Sequence, residues 1–142
     1  MTDEKYLHSD ISSKILQAFF TVYNEFGYGF SKSVYERSML IELEKLGLNC
    51  EYKIKIKLYY QGKEVGECIG DILVNNSVLI NIQSKEPIDE DDVMPVYYFL
   101  RVSEIEVGLF LNFGKTPVHK RKVFTNELKK KKVNKKYPDN LD

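Results

Sequence analysis

The chain has 142 residues, the size of one domain, and 43% of them are hydrophobic, so it can bury a core and is not disordered as a whole. No apolar run approaches the length of a membrane span, and the polar start of the chain is unlike a signal peptide. A cytoplasmic protein with no membrane partner is therefore expected. Cys50 and Cys68 lack the spacing of a zinc site or a redox pair and are expected to be small buried residues.

Positive charge is concentrated at the C-terminal end of the chain. Nine of the 21 basic residues lie from Lys120 onward, against three acidic residues, which leaves the preceding body with a net charge of −6. An acidic body with a basic tail is unlike the uniform positive field of a stable DNA-binding domain. We therefore expect a single domain over residues 1–125, followed by a basic and flexible tail over 126–142.

Two helices are predicted first. Apolar residues at helical spacing, with Asp10 as the capping residue, predict a helix over 10–26. A second helix is predicted over 33–46. Ser33 and Glu36 stand at the spacing of a capping box, which would make Glu36 part of the helix cap.

Three strands are predicted next. Strict alternation of apolar and polar residues predicts a half-buried strand over 52–60, and a turn at 61–62 sends the chain back through a strand over 64–74. The run 77–83 is almost entirely apolar, which is the pattern of a central strand buried on both faces.

The remaining elements complete an α/β order. A helix is predicted over 92–102 with Pro95 in its first turn, and strands are predicted over 106–113 and 118–124. The acidic stretch 89–92 suits the start of a helix better than a metal-binding loop. The whole order predicts a mixed β-sheet flanked by helices.

One short segment carries a family resemblance. Residues 29–36, Gly-Phe-Ser-Lys-Ser-Val-Tyr-Glu, resemble the signature of the GxxExxY proteins, small bacterial members of the PD-(D/E)XK nuclease superfamily. The stretches 59–62, 71–74 and 107–114 agree with the same family in order and spacing. The resemblance covers about residues 8–124 and implies a restriction-endonuclease-like core of order α-β-β-β-α-β.

The resemblance also implies a metal site. In active members an Asp on the second core strand, a Glu and a Lys on the third, and often a Glu on the first helix surround one or two Mg²⁺ ions. Such carboxylates hold a hard cation through oxygen, and the cation activates water and neutralises the developing phosphoryl charge. The Lys stabilises that charge or the hydroxide.

Most of these positions are altered in this chain. Asp71 keeps the strand Asp, and Glu36 remains in the signature helix. The positions whose usual groups are gone form a vestigial cleft with Lys32 in place of the signature Glu: Asn81, Gln83, Pro95 and Phe99. An amide lacks the charge that makes a Mg²⁺ site bind, and it cannot stabilise an anion as an ammonium does. No cofactor or metal is therefore expected.

Asp71 has two interpretations. It either accepts a hydrogen bond from a backbone amide and pairs with Lys32, or it binds metal. If Lys32 took the role of the catalytic lysine, then Asp71, Glu36 and Asn81 could hold one Mg²⁺ or Mn²⁺ ion. Lys85 is a second candidate for the role of the catalytic lysine, because it lies two residues past Gln83, the altered position on the third strand.

The exposed lysines also have two interpretations. They either contact a phosphate backbone through counterion release or form solvated, aggregation-resistant surfaces. The candidates are a stripe on the first strand, Lys53, Lys55 and Lys57, and the start of the tail, Lys129, Lys130, Lys131 and Lys132.

The sequence therefore predicts a nuclease-like protein that has lost catalysis and keeps the scaffold for binding. A cleft that has lost acid and gained amide and ammonium groups suits an anionic or polar ligand, so the partner would be a nucleic acid, a nucleotide or a protein. A homodimer is also compatible with the pattern. The alternatives are a divergent Mg²⁺- or Mn²⁺-dependent nuclease and a structural subunit of a bacterial assembly.

Overall fold

The computed structural model describes residues 7–129 and contains helices and strands in the predicted order. The helices are α1 (Ser9–Phe26), α2 (Lys32–Lys45) and α3 (Glu90–Val102). The strands are β1 (Cys50–Tyr60), β2 (Lys63–Val74), β3 (Val78–Gln83), β4 (Val107–Phe113) and β5 (Pro117–Val123). A single helical turn over 126–129 follows the last strand.

The five strands form one mixed sheet in the order β1-β2-β3-β4-β5. Only the β3–β4 pair is parallel, and α3 is the crossover that joins these two strands. β3 lies at the centre, and its residues from Val78 to Ile82 are buried. These observations confirm the predicted α/β fold with a mixed sheet flanked by helices.

The helices cover the sheet on both faces. α1 and α2 pack against the larger core, where Tyr35 of α2 stacks on Phe113 of β4 with the ring centroids 4.1 Å apart. α3 packs on the opposite face against a smaller cluster that includes Phe110 and Phe124. Burial of apolar side chains, aliphatic and aromatic, on both faces is the main favourable term that holds the layers together.

The sheet opens into a fork between β2 and β3. The two strands pair only from Val74↔Val78 to Ile72↔Ile80. Beyond this point β2 continues with β1, whereas β3 continues with β4 as far as Gln83↔Asn112. Residues just past the last pair, Asp71 on one prong and Asn81 on the other, therefore lie where the strands separate.

Gly70 allows β2 to approach α3 closely beside this fork. A Cβ placed on Gly70 would lie 2.3 Å from Leu79 Cδ1 and 3.0 Å from Phe99 Cε2. Both of those side chains are buried. A side chain at position 70 would therefore displace the packing between β2, β3 and α3.

The β1–β2 hairpin is much longer than the β2–β3 ladder. Its pairs run from Cys50↔Val74 to Tyr60↔Lys63, with one extra residue on β2, Val65, where the register shifts. The predicted turn at 61–62 is confirmed, with φ of 51° at Gln61 and 81° at Gly62, the left-handed conformation that a two-residue hairpin turn requires. Within residues 7–129, no third strand pairs with this hairpin beyond Ile72.

The first two helices begin differently from the prediction. The residue that caps α1 is His8, in a left-handed conformation, and Asp10 lies inside the first turn, so Asp10 is not the cap. α2 begins at Lys32 after Ser31, and no side-chain hydrogen bond caps it. The predicted capping box of Ser33 and Glu36 is therefore wrong, because Glu36 is turned towards the sheet.

α3 also begins earlier than predicted. Asp89 and Asp92 form a capping box that starts the helix at Glu90, which confirms that the acidic stretch belongs to a helix start. Pro95 consequently lies in the second turn, not the first. Its ring occupies a position where an ordinary residue would donate a backbone hydrogen bond to the preceding turn.

Two further expectations can be compared with the structure. No helix within 7–129 has the length and apolar character needed to cross a membrane. Cys50 and Cys68 are free cysteines that are half-buried, so the expectation that they are buried is wrong. Burial, together with the charge of Glu44, raises the pKa of Cys50 to about 11.

The predicted tail lies mostly outside the described residues. Lys129 is at its start and contacts the body, where its Nζ donates to Ser103 O at 2.8 Å and to Ile105 O at 2.6 Å. Burial lowers the pKa of Lys129, although Glu106 and Glu104 act in the opposite direction. The other tail candidates, Lys130, Lys131 and Lys132, lie outside 7–129, and the boundary at residue 125 stays a prediction.

Candidate functional site

The fork brings the two remaining carboxylates next to the start of α2. Asp71 stands on β2 at the first position past the last pair with β3, where the strands separate. Lys32 is the first residue of α2, and Glu36 follows one turn later on the same helix face. Glu36 and Asp71 are 1% and 2% exposed, so both carboxylates are shielded from bulk water.

Two lysines neutralise these two carboxylates. Lys32 Nζ lies 3.2 Å from Asp71 Oδ2 and 3.8 Å from Glu36 Oε2. Lys53 Nζ lies 2.9 Å from Glu36 Oε2 and 3.5 Å from Asp71 Oδ1. We call Lys32, Glu36, Lys53 and Asp71 the ion cluster. Each ammonium contacts both carboxylates, which is the arrangement that makes burial of charge tolerable.

Neutral donors add one hydrogen bond to each carboxylate. Tyr52 Oη donates to Glu36 Oε1 at 2.7 Å, and the backbone N–H of Ile82 donates to Asp71 Oδ2 at 2.7 Å. The second bond replaces the ladder bond that Ile82 would make if β2 and β3 stayed paired. Asp71 thus makes the contacts of the first of its two interpretations, because it pairs with Lys32 and accepts a hydrogen bond from a backbone amide.

Lys53 reaches the ion cluster because its backbone leaves the regular strand conformation. Its φ is 59°, in the left-handed region that a non-glycine residue seldom adopts, and it faces Asp71 at a position with no ladder pair. The sequence predicted Lys53 on a common stripe with Lys55 and Lys57. Alternation alone cannot foresee a reversal of φ inside a strand.

The other lysines of the predicted stripe and loop lie elsewhere. Lys55 is exposed, and Lys57 Nζ is 3.8 Å from Glu64 of the neighbouring strand. Lys85 Nζ is 2.8 Å from Asp92 Oδ1 in the first turn of α3. Lys85 is therefore engaged at the helix start, where it was not expected.

The protonation equilibria reflect the ion cluster. Burial lowers the pKa of Lys53, but its hydrogen bond to Glu36 and the nearby charge of Asp71 raise it by more, so the pKa lies above its usual value. The hydrogen bond to Glu36 likewise raises the pKa of Tyr52, with a smaller contribution from burial. Both groups therefore keep their protons more firmly than they would in the unfolded chain.

The donor set does not fit a hard divalent cation as it stands. All four carboxylate oxygens of Glu36 and Asp71 lie within 3.0 Å of a hydrogen-bond donor or within 3.5 Å of an ammonium. Within 7–129, no three His, Cys, Asp or Glu side chains come together as a metal-binding group. A cation bound here would have to displace ammonium groups from both carboxylates.

The positions of the vestigial cleft are spread around the fork. Asn81 alternates with Ile80 and Ile82, which pack in the α1–α2 core, so its side chain lies on the α3 side of the sheet. Asn81 is 5% exposed and Gln83 is half-buried, and neither hydrogen-bonds to the ion cluster within the described part of the chain.

The two positions of the vestigial cleft that lie on α3 differ in exposure. Pro95 is exposed, whereas Phe99 is 1% exposed and packs beside Gly70. Phe99 is therefore part of the packing that backs the fork, not an open wall of a cleft.

Comparison with known proteins agrees with this geometry. The model of the PD-(D/E)XK nuclease superfamily matches residues 9–126. The crystal structure of SSO0001 superposes with a TM-score of 0.51 at 14% identity, covers 66% of this chain, and shows that the two share a fold. The aligned part spans only half of that longer protein. No curated protein matches significantly.

The family match covers both prongs of the fork and all three helices, and it agrees with the mixed sheet. Members of this superfamily usually act with divalent metal ions. The chain therefore belongs to the PD-(D/E)XK nuclease superfamily.

Proposed function

We propose that this chain is a GxxExxY-type member with a degenerate active site, which binds a ligand on the nuclease scaffold and does not cut nucleic acid. The observation that carries the proposal is the ion cluster. Its two ammonium groups neutralise the two carboxylates that the superfamily would use for metal. Asn81 and Gln83 supply neither the missing carboxylate nor the missing ammonium.

The charge balance supports a site without metal. Lys32 and Lys53 together carry the charge of one divalent ion and share both carboxylates. A Mg²⁺ ion would have to lose part of its hydration shell and displace both ammonium groups. Both costs oppose metal binding. The site also has one charged carboxylate fewer than the usual set, so its attraction for the ion is weaker.

The same arrangement supports an anionic or polar ligand. The side chains of Lys32 and Lys53 are 37% and 40% exposed, so each ammonium also faces solvent. A phosphate or carboxylate that approached from outside would meet two fixed cations held by buried acids. We propose a nucleic acid, a nucleotide or a protein partner as the ligand.

The competing function is a divergent Mg²⁺- or Mn²⁺-dependent nuclease that uses Asp71 and Glu36 with a migrated lysine, Lys32. One observation favours it: the two acids and the two ammonium groups converge at the fork, as the parts of a one-metal site would. In that function a lysine would leave its carboxylate when metal enters and would stabilise the phosphoryl charge.

A cleavage assay separates these two functions. Plasmid and single-stranded DNA are incubated with the protein and Mg²⁺ or Mn²⁺, in parallel with Asp71→Ala and with Asp91→Ala as a matched control at an exposed acid. We expect no cleavage above background in any sample. Cleavage by the native chain that Asp71→Ala abolishes and Asp91→Ala retains would establish the nuclease instead.

Calorimetric titration with Mn²⁺ tests whether the two lysines are the reason why the fork does not bind metal. The native chain is expected to bind no Mn²⁺ at its fork. In Lys32→Met/Lys53→Met, the two acids lose their internal cations, and binding of Mn²⁺ should appear and should disappear again when Asp71→Asn is added. Equal binding by the native chain and the double variant would contradict the proposed neutralisation.

The partner class needs its own measurement. A labelled oligonucleotide is titrated at two salt concentrations, because binding that rests on phosphate contacts weakens steeply as salt rises. Absence of binding at the lower concentration would remove nucleic acid from the proposal. The mass in solution distinguishes a monomer from a homodimer.

A further inference from the structure

A second concave site lies at the carboxyl ends of the two parallel strands. It has a volume of about 270 Å³. Its walls include three aromatic rings and three polar side chains: Tyr28, Phe30, Phe113, Ser84, Glu86 and Lys115. We call this the aromatic cleft. In open α/β sheets, ligands commonly bind outside the carboxyl ends of the strands.

The loop that carries Tyr28 and Phe30 is held in place by hydrogen bonds. Tyr35 Oη donates to Gly27 O at 2.7 Å and accepts from Phe30 N at 3.2 Å. Ser84 Oγ donates to Phe30 O at 2.8 Å and so ties the loop to the end of β3. The loop between α1 and α2 is therefore fixed before any ligand arrives, which lowers the entropic cost of binding.

This fixed loop presents aromatic surface to water. Tyr28 is 53% exposed and Phe30 is 48% exposed. Phe30 is supported from behind by edge contacts with Phe26 and Tyr35, at centroid distances of 5.3 and 6.3 Å. An oriented pair of exposed rings over a cavity is a platform on which a flat ring can stack.

The polar groups of the aromatic cleft select among flat ligands. Lys115 is exposed at the rim and supplies a cation for a phosphate group. Glu86 accepts a hydrogen bond from the Lys115 backbone through Oε2, which fixes its carboxylate at the wall. A fixed carboxylate accepts hydrogen bonds from amino donors. Adenine, guanine and cytosine carry an exocyclic amino group, whereas uracil carries none and offers only its ring N3–H.

We propose that the aromatic cleft binds a nucleoside monophosphate, alone or as the end of a strand, with its base on Tyr28 and Phe30 and its phosphate at Lys115. The volume of the cleft suits a ligand of this size better than a larger cofactor. The ligand class rests on the proposed binding role, but the two proposals fail separately. Metal-dependent cleavage would overturn the first, and the titration below decides the second.

The test is a calorimetric or NMR titration of the full chain with AMP, adenosine and UMP. AMP is expected to bind saturably and more tightly than UMP. Tyr28→Ala should weaken AMP about tenfold, the effect of losing one stacking ring. Lys115→Met should weaken AMP to the affinity of adenosine and leave adenosine unchanged.

Tyr59→Ala is the matched control, because Tyr59 is 62% exposed on the distant hairpin. It should leave AMP affinity unchanged. No saturable binding of AMP, an unaltered affinity in Tyr28→Ala, or an equal loss in Tyr59→Ala would each overturn the proposal. Circular dichroism of every variant shows that an affinity change is not a folding defect.

Discussion

The ion cluster and the aromatic cleft use their chemical groups in opposite ways. In the ion cluster, the buried acids Glu36 and Asp71 already have internal partners, so their charge stabilises the protein itself. In the aromatic cleft, hydrogen bonds fix the backbone of the loop, while the rings of Tyr28 and Phe30 remain in contact with water. Buried charges at the fork are thus engaged within the protein, whereas the neighbouring aromatic cleft leaves its rings open to solvent.

The largest expected effect is the loss of Asp71. Asp71→Ala leaves the buried N–H of Ile82 without its acceptor and leaves Lys32 and Lys53 to share Glu36 alone. We therefore expect unfolding to require about 2–4 kcal/mol less. Asp71→Asn should lose less stability, because its amide oxygen can still accept a hydrogen bond from Ile82 N. Urea denaturation measures both, with Asp91→Ala as the control. A change below about 0.5 kcal/mol in Asp71→Ala would show that the cluster is not structural.

Closing the space behind the fork should have the second largest effect. Gly70→Ala brings a methyl group against Leu79 and Phe99, and we expect a loss of about 1–3 kcal/mol from overpacking. Gly66→Ala is a control on the same strand, because a Cβ there meets no atom within 4 Å. Equal effects of the two substitutions on the urea midpoint would refute tight packing behind Asp71.

The ion cluster should also give a pH dependence at the alkaline end. The folded-state pKa of Lys53 is raised above its usual 10.5, so its stabilisation is complete below that pH and is lost as the pH rises through the folded value. Tyr52 acts in the same direction above its usual pKa of 10.0. Lys53→Met should flatten the fall in the urea midpoint above pH 10.5, and Lys55→Met should not. Parallel curves for the two variants would contradict the coupling.

The smallest expected effect lies in the aromatic cleft. Tyr28→Ala should change the free energy of unfolding by less than about 0.5 kcal/mol, because the ring is 53% exposed and the hydrogen bonds of the loop come from other residues. Thermal and urea unfolding measure this value. A loss comparable to that of Asp71→Ala would mean that Tyr28 supports the fold and is not held ready for a ligand.

The fold was largely predictable, because its signals are local. The apolar run that became β3, the turn at 61–62 and the order of the elements follow from periodicity and turn chemistry. The early start of α3 was missed because the capping box of Asp89 and Asp92 outweighs the position of Pro95. Periodicity places helix interiors well and their first residues poorly.

The site was predictable only in part. Lys32 and Glu36 were identified from the signature and Asp71 from the matching strand stretch, and the structure brings the three together. Lys53 was assigned to an exposed stripe, because no pattern in the strand signals its positive φ. Glu36 was taken for a cap because its spacing from Ser33 is local, whereas its real partners, Tyr52 and Lys53, lie on a neighbouring strand.

The length of the β1–β2 hairpin has a consequence for how the protein opens. Among residues 7–129, those from 54 to 70 pair in the sheet only with one another, whereas 72–74 also pair with β3. The outer ribbon can therefore unzip from its tip while the centre of the sheet stays closed. Amide hydrogens between Lys55 and Ile69 should therefore exchange with solvent faster than those of β3. Such a difference would mark the outer hairpin as a unit that opens locally while the central strands stay closed.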